Sequence, residues 1–219
     1  DEKGVFQARF PRTDFQVHPV SGTHCFIAVA AGFGLDAIEL RPDEPADNLT
    51  FRLVPDQPIR GRIVDTEGRP VKDANVRLEM IFAPSSGRLD GFLTAWKQEW
   101  GIATQQTDKR LFVLGKMFPV TWTDDGRFEI KGVGRERVAR VTVTGANIAH
   151  MQLWVVTRDG IDARSYNDAA LARIPPDLRL PGQPPLLYAP SFDAVAEPTR
   201  VIEGMVRDAS SGEPVVGAT

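Results

Sequence analysis

The sequence predicts a mostly β protein made of sandwich modules in tandem, and three observations predict it. First, "IRGRIVD" (59–65) alternates Ile59, Gly61 and Ile63 with Arg60 and Arg62, the two-residue period of a half-buried strand. Second, that stretch opens a pattern the chain writes twice. Ile59, Gly61, Ile63, Asp65, Gly68, Pro70, Val71 and Ala74 match Ile202, Gly204, Val206, Asp208, Gly212, Pro214, Val215 and Ala218 in the same order, with one extra residue in the second turn. Third, "TDDGRFEI" (123–130) resembles "DEKGVFQA" (1–8), each setting an acidic Gly turn before Phe and an alternating strand. An offset of 143 residues between Gly61 and Gly204 is too long for a solenoid repeat and implies separate modules, each with its own core.

Taken in order, residues 1–57 read as the C-terminal part of a first module. They lack an opening hairpin, so they must pack on the middle module or be only marginally stable. Pro-bounded linkers, "VPDQP" (54–58) and "EPTR" (197–200), set off a complete module over 58–200, and residues 201–219 read as the opening hairpin of a further one. Within the middle module Asp65 and Gly68 make the turn, Asp by bonding local backbone and Gly by accepting positive φ. Val76, Leu78 and Met80 then return as a strand with their apolar side chains on one face. Insertions at 83–118 and 162–192 lengthen this module. In the first, "LDGFLTAWKQEWG" (89–101) places Phe92, Leu93, Trp96 and Trp100 at helical spacing, with Asp90 as N-cap and Gly101 as the stop. That helix is expected to lay its aromatic face on the outside of one sheet, the alternative being a helix that docks on a partner or a membrane surface. "ARVTVTG" (139–145) and "MQLWVVTRDG" (151–160) continue as β structure. In the second insertion Asn167 caps a short helix through Ala172, which Pro175 and Pro176 end. An extended strap held by Leu186, Leu187, Tyr188 and Phe192 comes next.

The quoted motifs, I-x-G-x-[IV]-x-D…G-x-P-V-x-x-A-x-V at 59–76 and T-D-x-x-G-x-F-x-[IF] at 123–130, resemble the carboxypeptidase regulatory-like family. The resemblance covers residues 59–82, 119–145 and 201–219, and residues 1–58 by analogy. It implies transthyretin-like (prealbumin-like, Ig-like Greek-key) β-sandwich modules in tandem, here with a short helical insertion. Where the motif accompanies a peptidase, the resemblance implies an accessory, folding or surface-interaction role without catalytic residues; the motif also recurs in large multi-module bacterial surface and envelope proteins.

Composition narrows the partners. The chain carries a net charge of −3, with its 26 basic and 29 acidic residues scattered, whereas nucleic acid and anionic membranes both select a basic patch. No apolar run approaches the roughly 18–20 residues that span a bilayer. The single cysteine, Cys25, precludes an internal disulfide and a thiolate cage. The compartment is not fixed by the sequence, although the resemblance favours the cell envelope or the extracellular space.

No catalytic, cofactor or metal residue is assigned. G-x-S-x-G, S-x-x-K and H-E-x-x-H are absent, and His24 and Cys25, adjacent on a strand, point to opposite faces. The three histidines, His18, His24 and His150, lack metalloprotease spacing. Asp65, Asp124 and Asp125 belong to turns, and "TDDGRF" is too short for a calcium loop. The polar stretch "TRDGIDARSYN" (157–167) is the one candidate binding face. Arg158, Asp162, Arg164, Tyr166 and Asn167, folded back on Trp122 or Trp154, would join an aromatic platform to hydrogen-bonding groups suited to a sugar or a peptide. Against that stands a loop whose Arg–Asp pairs fix its own shape.

The function expected is therefore a non-catalytic spacer, surface-presentation or binding module. Its partners would be protein or polysaccharide, together with neighbouring modules of the same chain. The alternative is a carbohydrate-binding or peptidase-accessory module attached to a catalytic domain elsewhere.

Overall fold

A computed structural model describes residues 4–7, 24–41, 49–112, 117–123, 125–178, 185–199 and 203–217. In chain order the strands are β1 (His24–Ala28), β2 (Phe33–Gly34), β3 (Asp36–Leu40), β4 (Val54–Pro55), β5 (Ile59–Val64), β6 (Asn75–Ala83), β7 (Lys109–Phe112), β8 (Thr121–Trp122), β9 (Arg127–Ile130), β10 (Val138–Gly145), β11 (Ile148–Val156), β12 (Leu187–Tyr188) and β13 (Ser191–Val195). Helix α1 (Asp90–Glu99) lies between β6 and β7, and α2 (Ala163–Ala172) between β11 and β12.

Two larger sheets form the body, ordered β12-β11-β10-β6-β7 and β13-β5-β9-β8. Alternation decides what faces inward. Ile59 and Ile63 of β5, Phe128 and Ile130 of β9, and Ala194 of β13 meet Val76 and Leu78 of β6, Val141 and Val143 of β10, and Leu153 and Val155 of β11 in one core. The chain is thus mostly β, with sheets stacked face to face as in a sandwich.

Part of the far face of the five-stranded sheet is apolar too, and the helices cover it. Phe92, Leu93 and Trp96 of α1 pack with Met80, Phe82, Val138 and Val156 in a second core, joined by Ala170 of α2 and Leu187 of β12. This corrects the expectation that Met80 shares a face with Val76 and Leu78. Arg140 of β10 pairs with Met80 while the next residue, Val141, pairs with Leu78, so Glu79 is the extra residue of a β-bulge. A bulge reverses the alternation beyond it, and Met80 turns to the helices.

Helix α1 forms where the aromatic spacing places it, but its ends differ. Leu89, not Asp90, is the N-cap, and the chain continues past Gly101 as a 3-10 helix, Trp100–Gln106. In α2 the cap is Asp162, whose carboxylate accepts the Ser165 N–H, and Asn167 lies inside the helix. The strap after α2 packs down. Its β12 lies parallel to β11, and β13 lies parallel to β5. Leu187 is buried, Tyr188 and Phe192 pack on the first core, and Leu186 stays exposed.

The described part of the first 57 residues packs on this body. Strands β1 and β3 pair, as do β2 and β4. Leu35 and Ala37 join the same core as Ile59 and Ile63. The Asp56 carboxylate accepts the Gly132 and Gly134 N–H groups at 2.8 and 3.0 Å, and Leu35 N–H donates to the Gly132 carbonyl at 3.0 Å. Asp36 is only 2% exposed. It accepts from Lys109 Nζ at 2.5 Å and from Arg52 N–H at 2.8 Å, which satisfies a carboxylate that burial alone would penalise.

The two copies of the repeated motif fold alike at the turn. In the first, Val71 N–H donates to Ile63 C=O, Asp65 N–H to Arg69 C=O, and Val64 bridges Pro70. In the second, Val215 N–H donates to Val206 C=O, Asp208 N–H to Glu213 C=O, and Arg207 bridges Pro214. The extra residue is absorbed inside the turn. Gly68 and Gly212 both carry positive φ, 80° and 74°, the left-handed region open to glycine. Backbone N–H groups hold both aspartates below the usual carboxylate range, from Arg69 and then Glu67 onto Asp65, and from Ser211 and Ser210 onto Asp208.

Candidate functional site

Six of the seven candidate residues gather on the helix-covered side of the five-stranded sheet. Trp154 of β11 stacks on Phe82 at 5.3 Å between centroids and 21° between planes, with Trp96 of α1 at 5.9 Å. Its ring is a support for α1. Just beyond β11, Arg158 donates through Nε to Glu136 Oε1 at 2.8 Å and through Nη2 to Glu136 Oε2, while Nη1 meets Asp90 Oδ1 at 2.9 Å. The Leu89 N–H also donates to Glu136 Oε2 at 2.9 Å. One carboxylate thereby ties the N-terminus of α1 to the end of β11. Burial pushes the Glu136 carboxyl up, but the bonds from Arg158 and Leu89 outweigh it and hold it below the ordinary range. The same pairing pushes the Arg158 guanidinium further toward its charged form.

Nothing in the sequence marks Glu136 as a functional residue. Its φ is 57°, a left-handed conformation that a non-glycine residue adopts when its surroundings enforce it. Here the enforcement is explicit: Glu136 N–H donates to Thr157 C=O at 2.8 Å, and Arg158 and the Leu89 N–H clamp the carboxylate. The buried Thr157 hydroxyl donates to Gly134 C=O at 2.6 Å and accepts the Arg137 N–H at 3.0 Å, closing the same loop from below.

On α2, Asp162 is occupied as the N-cap. The Asn167 carboxamide bonds both backbone groups of Leu187, donating to its carbonyl at 2.9 Å and accepting its N–H at 2.8 Å. Tyr166 lies under Lys97 Nζ, 4.2 Å from the ring centroid. Arg164 is exposed and reaches Asp168 only at 3.8 Å. A hollow of about 240 Å³ remains between α1 and α2, lined by Asp90, Leu93, Lys97, Arg158 and Tyr166. Most of the polar groups in this stretch are engaged with neighbouring protein groups, so they fix the loop and the two helices.

Trp122 stands apart. It lies on β8, the edge of the four-stranded sheet, tilted at 56° against Phe128 with centroids 5.5 Å apart. A second hollow, of about 310 Å³, opens beside it between β8 and the start of β6. Neither the sequence spacing nor any motif points to Asn75 and Arg77 as its neighbours, because β6 and β8 come together only through the sandwich.

For metals, no group of three or more His, Cys, Asp or Glu among the described residues is placed to hold an ion. His18, Asp124 and the His24 side chain lie outside the described residues, and His150 is exposed on β11. Among the described residues no helix is long and apolar enough to cross a membrane.

No protein-family profile matches this chain, and no curated protein does. Among solved structures it is similar to the full-length major pilin RrgB from Streptococcus pneumoniae, at 12% sequence identity and a TM-score of 0.30. The match covers 84% of this chain and 38% of the pilin. The chain therefore spans well under half of that protein, and a likeness at this level does not by itself assign a function.

Proposed function

We propose that this region is a non-catalytic part of a larger multi-module protein of the carboxypeptidase regulatory-like kind, serving as a structural spacer that presents other surfaces at the cell envelope or outside the cell. The observation that carries the reading is the hairpin repeated at 63–71 and 206–215 with equivalent hydrogen bonds. In the first copy Ile63 is fully buried, and its counterpart Val206 is 58% exposed. A residue whose equivalent forms a core, yet which itself lies open, fits the opening hairpin of a further module. The arrangement of Arg158, Glu136 and Asn167 supports the same reading, because each joins one secondary element to another.

Stretching the natural full-length protein by force spectroscopy tests it. A tandem spacer unfolds as a ladder of similar events, and a module over 58–200 releases roughly 500 Å of chain at about 3.5 Å per residue. A single unfolding event, or a flanking enzyme that loses its activity when this region is deleted, would sink the spacer reading in favour of an accessory domain.

A further inference from the structure

Two segments of this chain copy strands that pair in the body, and both lie open. In the body Gly61 of β5 pairs with Phe128 of β9, and Arg62 with Arg127. The buried Phe128 ring lies on Gly61, where a Cβ would stand 2.4 Å from its Cζ. The repeated motifs put Gly204 in the place of Gly61 and Phe6 in the place of Phe128. The turn before each phenylalanine is copied too, with φ of 70° at Gly4 and 77° at Gly126. Here the contact is unmade. A Cβ on Gly204 would meet nothing within 4 Å, and Phe6, 5.8 Å from the Phe51 ring, is 60% exposed. Neither residues 4–7 nor residues 203–206 belong to a strand. The neighbouring pair carries a second mark. Arg62 and Arg127 are tolerated opposite each other because both reach Asp193. Their counterparts Met205 and Val5 are both apolar and are 65% and 63% exposed, so the equivalent pairing needs no carboxylate.

We propose that residues 203–206 take residues 4–7 of a second copy of this chain as an antiparallel strand, with Phe6 laid on Gly204 and Val5 beside Met205. A ring over a strand glycine fills the space that the missing side chain leaves. The apolar cross-strand pair adds to it, and strand addition supplies backbone hydrogen bonds. Donor and acceptor are different parts of one surface, so the copies join head to tail. The inference rests on the module reading, through the repeat. Loss of the force ladder would sink that reading, whereas a chain that stays monomeric with the ladder intact sinks the strand exchange alone.

Sedimentation of the 219-residue chain tests it. An interface this small belongs to the weak class below about 1,200 Å², so association is read from micromolar to about 1 mM chain. The mass is expected to rise with concentration. Gly204→Val, whose side chain enters open space in a single copy, should abolish that rise and leave the melting temperature at micromolar chain unchanged. Phe6→Ala should weaken association by about tenfold or more. Mixing Val5→Cys with Met205→Cys, each also carrying Cys25→Ser, under a short bismaleimide locates the contact. These two should link between molecules, and Val5→Cys with Ser211→Cys, at the turn, should not. A chain still monomeric at about 1 mM overturns the proposal, as does association that survives Gly204→Val. So does linking to position 211 as fast as to 205, or a Val5→Cys, Met205→Cys double variant that links only within itself.

Discussion

Gly34 and Gly134 meet backbone to backbone: a Cβ on Gly34 would stand 2.3 Å from the Gly134 Cα and 2.6 Å from the Val133 carbonyl oxygen. Neither contact can be relieved by turning a side chain. Gly34→Ala should therefore force β2 off the 132–134 loop and cost about 2–3 kcal/mol, the range of core overpacking. Urea denaturation reads this directly. Gly101→Ala, where a Cβ meets nothing within 4 Å, serves as the control.

The repeated motif makes a paired prediction. A Cβ on Gly61 would lie 2.4 Å from Phe128 Cζ and 2.8 Å from Phe192 Cζ, while its counterpart Gly204 has nothing within 4 Å. Gly61→Ala should cost about 1–3 kcal/mol, and Gly204→Ala should stay within about 0.5 kcal/mol in this chain. In a natural protein where the second hairpin closes a core of its own, Gly204→Ala should become costly as well.

Glu136 predicts a pH dependence. Its carboxyl is held below its usual value in the folded state, so the stability it contributes is present above the unfolded pKa of about 4.3 and is lost as pH falls through the lower folded value. Glu136→Gln should lower stability at pH 7 by about 2 kcal/mol, given that both it and Arg158 are 23% exposed. It should also flatten the decline in melting temperature between neutral and acid pH. An unchanged acid slope in the variant would show that other carboxylates set it.

Asn167 and Asp162 separate two roles that look alike in sequence. Asn167→Ala strands the backbone N–H and C=O of Leu187 and should cost about 2–3 kcal/mol, loosening β12 from α2. Asp162→Ala removes only an N-cap bond of 3.3 Å, worth at most about 1 kcal/mol. Thermal melts of the two variants should rank in that order.

The strands and turns of the repeat are legible in the sequence because they rest on local rules: two-residue alternation, and Asp and Gly at fixed offsets. The aromatic face of α1 is legible for the same reason, since four residues at helical spacing need one apolar neighbour. Met80 is misplaced by such rules because period two carries no mark of a bulge, and Glu79 looks like any outward-facing polar residue. Asn167 reads as a cap because Asn favours caps, and the Leu187 backbone that occupies it lies 20 residues away. Glu136 and the Trp122 hollow cannot be read from the sequence at all. Glu136 depends on the pairing of β10 with β11 and on the docking of α1, and the hollow on the packing of two sheets.

The strap after α2 carries a consequence for how the protein is made. Within a few residues it hands β12 to one sheet and β13 to the other, and Asp193 on β13 bonds Arg62 across a separation of 131 residues. Until residue 195 has left the ribosome, the outer edge of β5 has no neighbour, and neither has that of β11. The nascent chain therefore carries one open strand edge from residue 64 and a second from residue 156 until the strap arrives, and such edges invite pairing with other chains. Its closing contacts are also of long range and slow to form. Yield in the cell should depend on how quickly this last stretch arrives and on what shields those edges until it does.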